Sequence, residues 1–183
     1  MSQATPGSGA AVDRPVAAPP VSRPVGGELR PGLRVGDHAP DFTLPGVEGT
    51  ATGAWTLSAL RGQPVVLVFY PGDGTPVCTR QLVTYTDEIE AFADVGAQVL
   101  AISPQSVASH QRFAADNGGF AFPLLADEDT AVGEAYGIIG PLGFYRRSVF
   151  VVEPEGTIGW IHRAVAGLSF QPPDDIVAAI GGR

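Results

Sequence analysis

Apolar residues along this chain fall into short blocks with two different rhythms. PVVLVFY at 64–70 is an unbroken, β-branched run, the mark of a strand buried on both faces of a sheet. QVLAIS at 98–103 predicts a second buried strand, and FPLLAD at 122–127 a short third one. Between the first two, residues 77–96 set Val77, Leu82, Tyr85, Ile89 and Phe92 close to helical spacing, with Gly96 as a stop, and predict one helix. SVASHQRFAADNGG predicts a helix capped by Ser106 and ended by a glycine pair, and DTAVGEAYGI a short one. Residues 148–163 read as a hairpin of two β-rich runs around the turn PEGT. PPDDIVAAI at 172–180 opens with prolines and two acids, the chemistry of a helix N-terminus. Strand, helix, strand, helix, then a hairpin and a helix predict an α/β fold with a mixed central sheet covered on both faces.

Neither rhythm is present in residues 1–32, which are Pro, Gly, Ala and Ser with scattered charges. Such a segment cannot bury enough apolar surface to offset its ordering entropy, so a disordered tail is expected there. A tether or targeting role is open beside a bland solvated tail. The folded domain is expected over 33–183, beginning near RVGDHAPDFTL.

Composition narrows the chemistry. The 183 residues carry a formal charge of −8, which argues against nucleic acid or an anionic membrane as partner. All eleven basic residues are arginine, so lysine-based chemistry is excluded. No apolar run approaches the roughly 18 residues of a membrane span, and Asp13, Arg14 and Pro15 interrupt what a signal peptide would need. One cysteine cannot form an internal disulfide, which favours a reducing compartment, and the cytoplasm is the expected location. His38, His110 and His162 lie far apart in sequence, none in a metal spacing, and each is expected at the surface or in a loop.

That one cysteine, Cys78, sits in FYPGDGTPVCTRQ, between the first buried strand and the long helix. Pro76 suits the first helical position and Thr75 the N-cap, so Cys78 falls in the first turn. Unpaired backbone N–H groups and the positive end of the helix dipole stabilise a thiolate there. A lone cysteine can also be an inert buried hydrophobe. Its place after a buried strand, where α/β sheets put their sites, favours the reactive reading.

The stretch PGDGTPVC fits Pro-x-x-x-Thr-x-x-Cys, and the chain resembles the peroxiredoxins, thiol peroxidases of thioredoxin-like fold. VGDHAPDFTL, LSALRGQPVVLVFYP, SPQSVASHQRFAADNGGFAFPLLAD, YGI and RSVFVVEPEGTI follow in that family's order over about residues 33–165, and the middle block looks most like the Q-type (bacterioferritin-comigratory) branch. The resemblance implies that Cys78 is the peroxidatic cysteine and that Thr75 hydrogen-bonds its sulfur and the bound peroxide. Pro71 would wall the thiolate off from bulk water, and Arg147 would pair with it. Gln81 would orient Arg147, and Val77 and Gln81 would join Thr75, Cys78 and Arg147 around the peroxide. Arginine keeps its proton and makes a fixed donor for a leaving oxygen. Neighbours on a strand face opposite sides, so Arg146 is expected as a solvated surface charge.

Two features depart from the branch. Many of its members carry a resolving cysteine five residues after the first, where this chain has Val83. The implied mechanism is therefore a one-cysteine one, with the sulfenic acid resolved by an external reductant: a small-molecule thiol, thioredoxin or a glutaredoxin-like protein. Asp73 stands in the loop near Cys78, where a carboxylate disfavours a thiolate, so it is expected to point to solvent. The resemblance calls for no cofactor and no metal, for hydrogen peroxide or a small organic hydroperoxide as substrate, and for a monomer or weak homodimer. The rival from another class is a thioredoxin-fold binding protein or holdase whose thiol is incidental.

Overall fold

The computed structural model describes residues 32–164 and 169–182. The tail expected over 1–32 lies outside the described residues but for residue 32. Among the described residues seven strands form one sheet: β1 (Thr43–Glu48), β2 (Ala51–Thr56), β3 (Val65–Phe69), β4 (Gln98–Ser103), β5 (Leu124–Ala126), β6 (Ser148–Val152) and β7 (Ile158–Arg163). Their order across the sheet is β2-β1-β5-β4-β3-β6-β7. β3 pairs parallel with β4, and β4 with β5, while β6 joins β3 antiparallel and β7 closes the hairpin. The helices are α1 (Pro76–Asp87), α2 (Ile89–Asp94), α3 (Val107–Asp116), α4 (Ala131–Ala135) and α5 (Pro173–Gly181).

All five residues of β3 are buried, as an unbroken apolar run in mid-sheet requires. Its alternate side chains separate two cores. Val66 and Val68 face Leu82, Tyr85, Phe92, Phe113 and Ile176, beneath α1, α2, α3 and α5. Val65, Leu67 and Phe69 face Tyr136, Tyr145 and Phe150 on the side of α4. There Phe69 meets Phe150 edge-on at 5.7 Å between ring centroids, and Tyr136 meets Phe150 at 5.2 Å, geometries that suit the ring quadrupoles.

The expected sheet and helices are present, with two differences. The hairpin β1–β2 extends the sheet where no strand was predicted. The helix predicted over 77–96 is two helices, because the backbone of Glu88 leaves the helical region (φ −107°, ψ 22°). The apolar spacing runs on through the break, so the pattern alone cannot show it. Gly96 ends the second helix at φ 67°, a conformation in which a side chain is costly.

Candidate active site

β3 ends at Phe69 in the middle of the sheet, and Tyr70 extends its ladder by one bond, from its N–H to the Ile102 carbonyl at 3.1 Å. The loop 71–75 then turns the chain into α1. Pro76 occupies the first helical turn, where its missing N–H costs nothing. Cys78 follows with no exposed surface. Arg147 lies in the extended segment leading into β6, on the same side as Val149 and Val151, and is 3% exposed. Its Nη2 donates to Cys78 Sγ at 3.2 Å.

A second guanidinium nitrogen, Nη1, donates to Gln81 Oε1, one turn beyond Cys78 on the inner face of α1. The Gln81 amide nitrogen reaches the Tyr85 hydroxyl at 3.4 Å, and that hydroxyl donates to the Gln171 carbonyl at 2.7 Å, just before α5. Burial pushes the Tyr85 hydroxyl up to about 12, against the opposing pull of Gln81 and the Arg147 charge. The Nε of Arg147 is also buried and meets no acceptor among the described residues. Buried guanidinium donors are costly to leave unpaired, so an Nε without an acceptor among the described residues is a chemical feature of the site.

Of the residues expected around the peroxide, Cys78, Gln81 and Arg147 are thus brought together. Thr75 holds the N-cap position with extended backbone (φ −78°, ψ 142°), and its carbonyl accepts from Thr79 at 2.9 Å. Its side chain is exposed and makes no capping bond, so the expected cap is backbone only. Val77 is half-buried in the first turn and Pro71 half-buried at the start of the loop. Arg146 is exposed.

Asp73 corrects the expectation that it points to solvent. Its side chain is 7% exposed, and it accepts from the Tyr70 hydroxyl at 2.8 Å, Ser109 Oγ at 2.7 Å and His110 Nδ1 at 3.0 Å. A buried carboxylate is costly unless donors surround it, and here they do. His110 corrects its expectation too: it is fully buried, with Nε2 on the Leu125 carbonyl at 3.2 Å. His38 is exposed, and His162 is half-buried on β7, stacked on Trp160 at 6.0 Å.

Burial by itself would raise the Asp73 carboxyl. The bonds from His110, Ser109 and Tyr70, with the His110 charge, outweigh it and hold the carboxyl below its ordinary range. A carboxyl depressed in the folded state adds stability above its unfolded value, and that stability disappears as pH falls through the folded value. Thermal unfolding followed through the acid range should therefore show a loss of stability below the ordinary carboxylate range that Asp73→Asn lacks. Equal acid profiles for the two chains would show that Asp73 contributes no such term.

The sequence carried a signal for His110: it shares the inner face of its helix with Phe113 and Ala114, three and four residues on. Ser109 comes with it, because Ser106 caps α3 by accepting from the Ser109 N–H at 3.3 Å and so fixes which face turns inward. Tyr85 was legible as a core position, but its hydroxyl contact depends on a carbonyl 86 residues away and had no local signal.

Comparison with known proteins bears on the family of the chain. Residues 35–161 match the AhpC/TSA family. A Thermoplasma volcanium peroxiredoxin is 35% identical over 136 residues, covering 69% of this chain and 64% of the relative. A Mycobacterium tuberculosis relative named as a peroxiredoxin is 38% identical over 133 residues, 82% of its length. A chloroplastic peroxiredoxin Q of Oryza sativa subsp. japonica is 36% identical over 143 residues, 62% of its length. The chain thus spans somewhat less than two thirds of the Thermoplasma and rice relatives. Among solved structures, Mycobacterium bovis AhpC superposes with a TM-score of 0.75 at 25% identity, over 82% of this chain and 92% of the other. On this sequence, fold and arrangement around Cys78, the chain belongs to the AhpC/TSA family and, within it, to the peroxiredoxins.

Proposed function

We propose that the protein is a thiol-dependent peroxidase that reduces hydrogen peroxide and small organic hydroperoxides at Cys78. The observation that carries this is the buried Arg147 guanidinium, with one nitrogen 3.2 Å from Cys78 Sγ and another, Nε, lacking an acceptor among the described residues. The Cys78 thiolate attacks one peroxide oxygen, so that an S–O bond forms as the O–O bond breaks. Negative charge then builds on the leaving oxygen, and a preorganised donor aimed there lowers the barrier. Gln81 holds the guanidinium in place, and Thr75 and Val77 stand at the start of the same helix. The leaving oxygen takes a proton and departs as water or an alcohol, and Cys78 remains as a sulfenic acid.

No second cysteine exists in the chain to condense with that sulfenic acid. An external thiol attacks its sulfur, forming a mixed disulfide and releasing water. A second thiol then frees Cys78 and leaves as a disulfide with the first. A small-molecule thiol, thioredoxin or a glutaredoxin-like protein would serve. Support for a reducing, cytoplasmic setting comes from the lone thiol. A catalytic unit at 33–183 is supported by the family match over 35–161.

Stopped-flow peroxide reduction with each class of reductant tests the activity, and mass spectrometry tests the intermediate. Limiting peroxide should leave a sulfenic acid on Cys78, and excess should drive it to the sulfinic form. Under non-reducing conditions the disulfides should be Cys78–Cys78 dimers or adducts with an added thiol. A chain that consumes no peroxide with any reductant would instead be the binding module with an incidental thiol.

A further inference from the structure

Asp73 stands between two glycines in a loop that β3 fixes at one end and α1 at the other. Gly72 and Gly74 give that loop freedom, and Gly74 adopts φ 70°. Asp73 removes much of it. Through Ser109 and His110 it ties the loop to α3, and through Tyr70 to the end of β3. His110 carries the tie onward to β5 by way of the Leu125 carbonyl. Nδ1 stands 3.0 Å from the Asp73 carboxylate and Nε2 3.2 Å from the Leu125 carbonyl, so one buried ring bridges the loop and the strand.

The loop so anchored leads straight into the turn that holds Cys78. The thiol has no exposed surface, so anything reacting with its sulfur needs the surrounding atoms to give way. We propose that Asp73 and His110 are positioning residues for the Cys78 site, forming a clamp that fixes the 71–75 loop and the first turn of α1 and restricts access to the sulfur. They touch neither thiol nor peroxide; they act through the loop. A clamp of this kind has two opposite effects. It holds the groups around the peroxide in register, which favours the fast reaction. It also keeps larger, less specific reagents off the sulfur.

The test uses the full chain and its single thiol, so every modification reports on Cys78. In Asp73→Asn the shape is kept and the charge removed. Peroxide reduction should fall by at least about tenfold, since small misplacements around reacting groups have effects of that order or more. Alkylation of Cys78 by iodoacetamide should rise by at least about threefold, because a loosened loop opens locally. A variant that was merely less well folded everywhere would also lose cooperative thermal unfolding, which the clamp model expects to persist. His110→Asn, which keeps an N–H near the place of Nδ1, should recover part of the peroxide rate lost in His110→Ala. If Asp73→Asn changes both rates by less than about twofold, or lowers both together, the clamp is wrong. Should Asp73→Asn fail to fold, Ser109→Ala removes one bond to the same carboxylate, and no change in either rate there overturns the proposal equally. The rate arm rests on the peroxidase reading, but the alkylation arm does not. A wild-type chain without peroxidase activity would sink that reading and still leave the clamp to be decided by iodoacetamide.

Discussion

Arg147→Ala should slow peroxide reduction by about one hundred-fold or more, the usual loss when a donor to a developing oxyanion is removed. Arg146→Ala should leave the rate nearly unchanged. The two residues are adjacent in sequence and both are cationic, so they control for each other. Arg147 is buried with its guanidinium on Cys78 and Gln81, whereas Arg146 is exposed. Removing Arg147 also strips the Gln81 carbonyl of a buried donor, with an unfolding cost of about 1–3 kcal/mol. Melting temperatures of the two variants separate that cost from the catalytic one. A slow Arg146→Ala beside a fast Arg147→Ala would mean that the wrong guanidinium has been assigned to the thiol.

The largest expected effect on stability lies away from the site. Gly46→Ala should destabilise the fold by about 3 kcal/mol, the upper part of the range for overpacking a close-packed interior. For a domain of this size that lowers the melting temperature by about 6–12 °C. A Cβ at position 46 would stand 2.7 Å from Leu125 Cδ2 and closer still to the Leu124 carbonyl oxygen. The oxygen belongs to backbone and cannot swing aside. Gly46 and Val47 are the two residues through which β1 pairs with β5, so the clash falls on the seam that joins the β1–β2 hairpin to the rest of the sheet among the described residues. Differential scanning calorimetry of the two chains decides it, and an unchanged melting temperature would show that the seam has room to spare.

That hairpin also marks where the sequence stops being legible. β3 and β4 announced themselves, because strands buried on both faces need continuous apolar runs and VVLVF and QVLAIS are such runs. β1 and β2 contain Pro45, Gly46 and Gly53, residues that ordinarily weaken a strand. They pair all the same because the sheet needs a close backbone approach at Gly46 and because β2, at the edge, keeps its first four residues exposed. At the site, local signals sufficed for Cys78, Pro76 and the helix start. Arg147 and Gln81 came only through resemblance to a family, since nothing local links residue 147 to residue 78. Asp73 was misread because a carboxylate beside a nucleophilic thiol looks unfavourable. Its three donors come from Tyr70, Ser109 and His110, and two of those are separated from it by more than thirty residues.

The bonds running from Cys78 to Gln171 have a direction. A guanidinium has hydrogens to give and no lone pair to offer, so Gln81 must turn its carbonyl toward Arg147 and its amide hydrogens away. Tyr85 then receives from Gln81, and its single hydroxyl hydrogen goes to the Gln171 carbonyl. One fixed cation therefore dictates the orientation of every dipole as far as the segment before α5, each polarising the next. A carboxylate in place of the Gln81 amide would reverse the middle of that series. It would draw the Tyr85 hydrogen back toward itself, and Gln171 would lose its donor. The arginine beside the thiol and the carbonyl just before α5 thus share a single alignment.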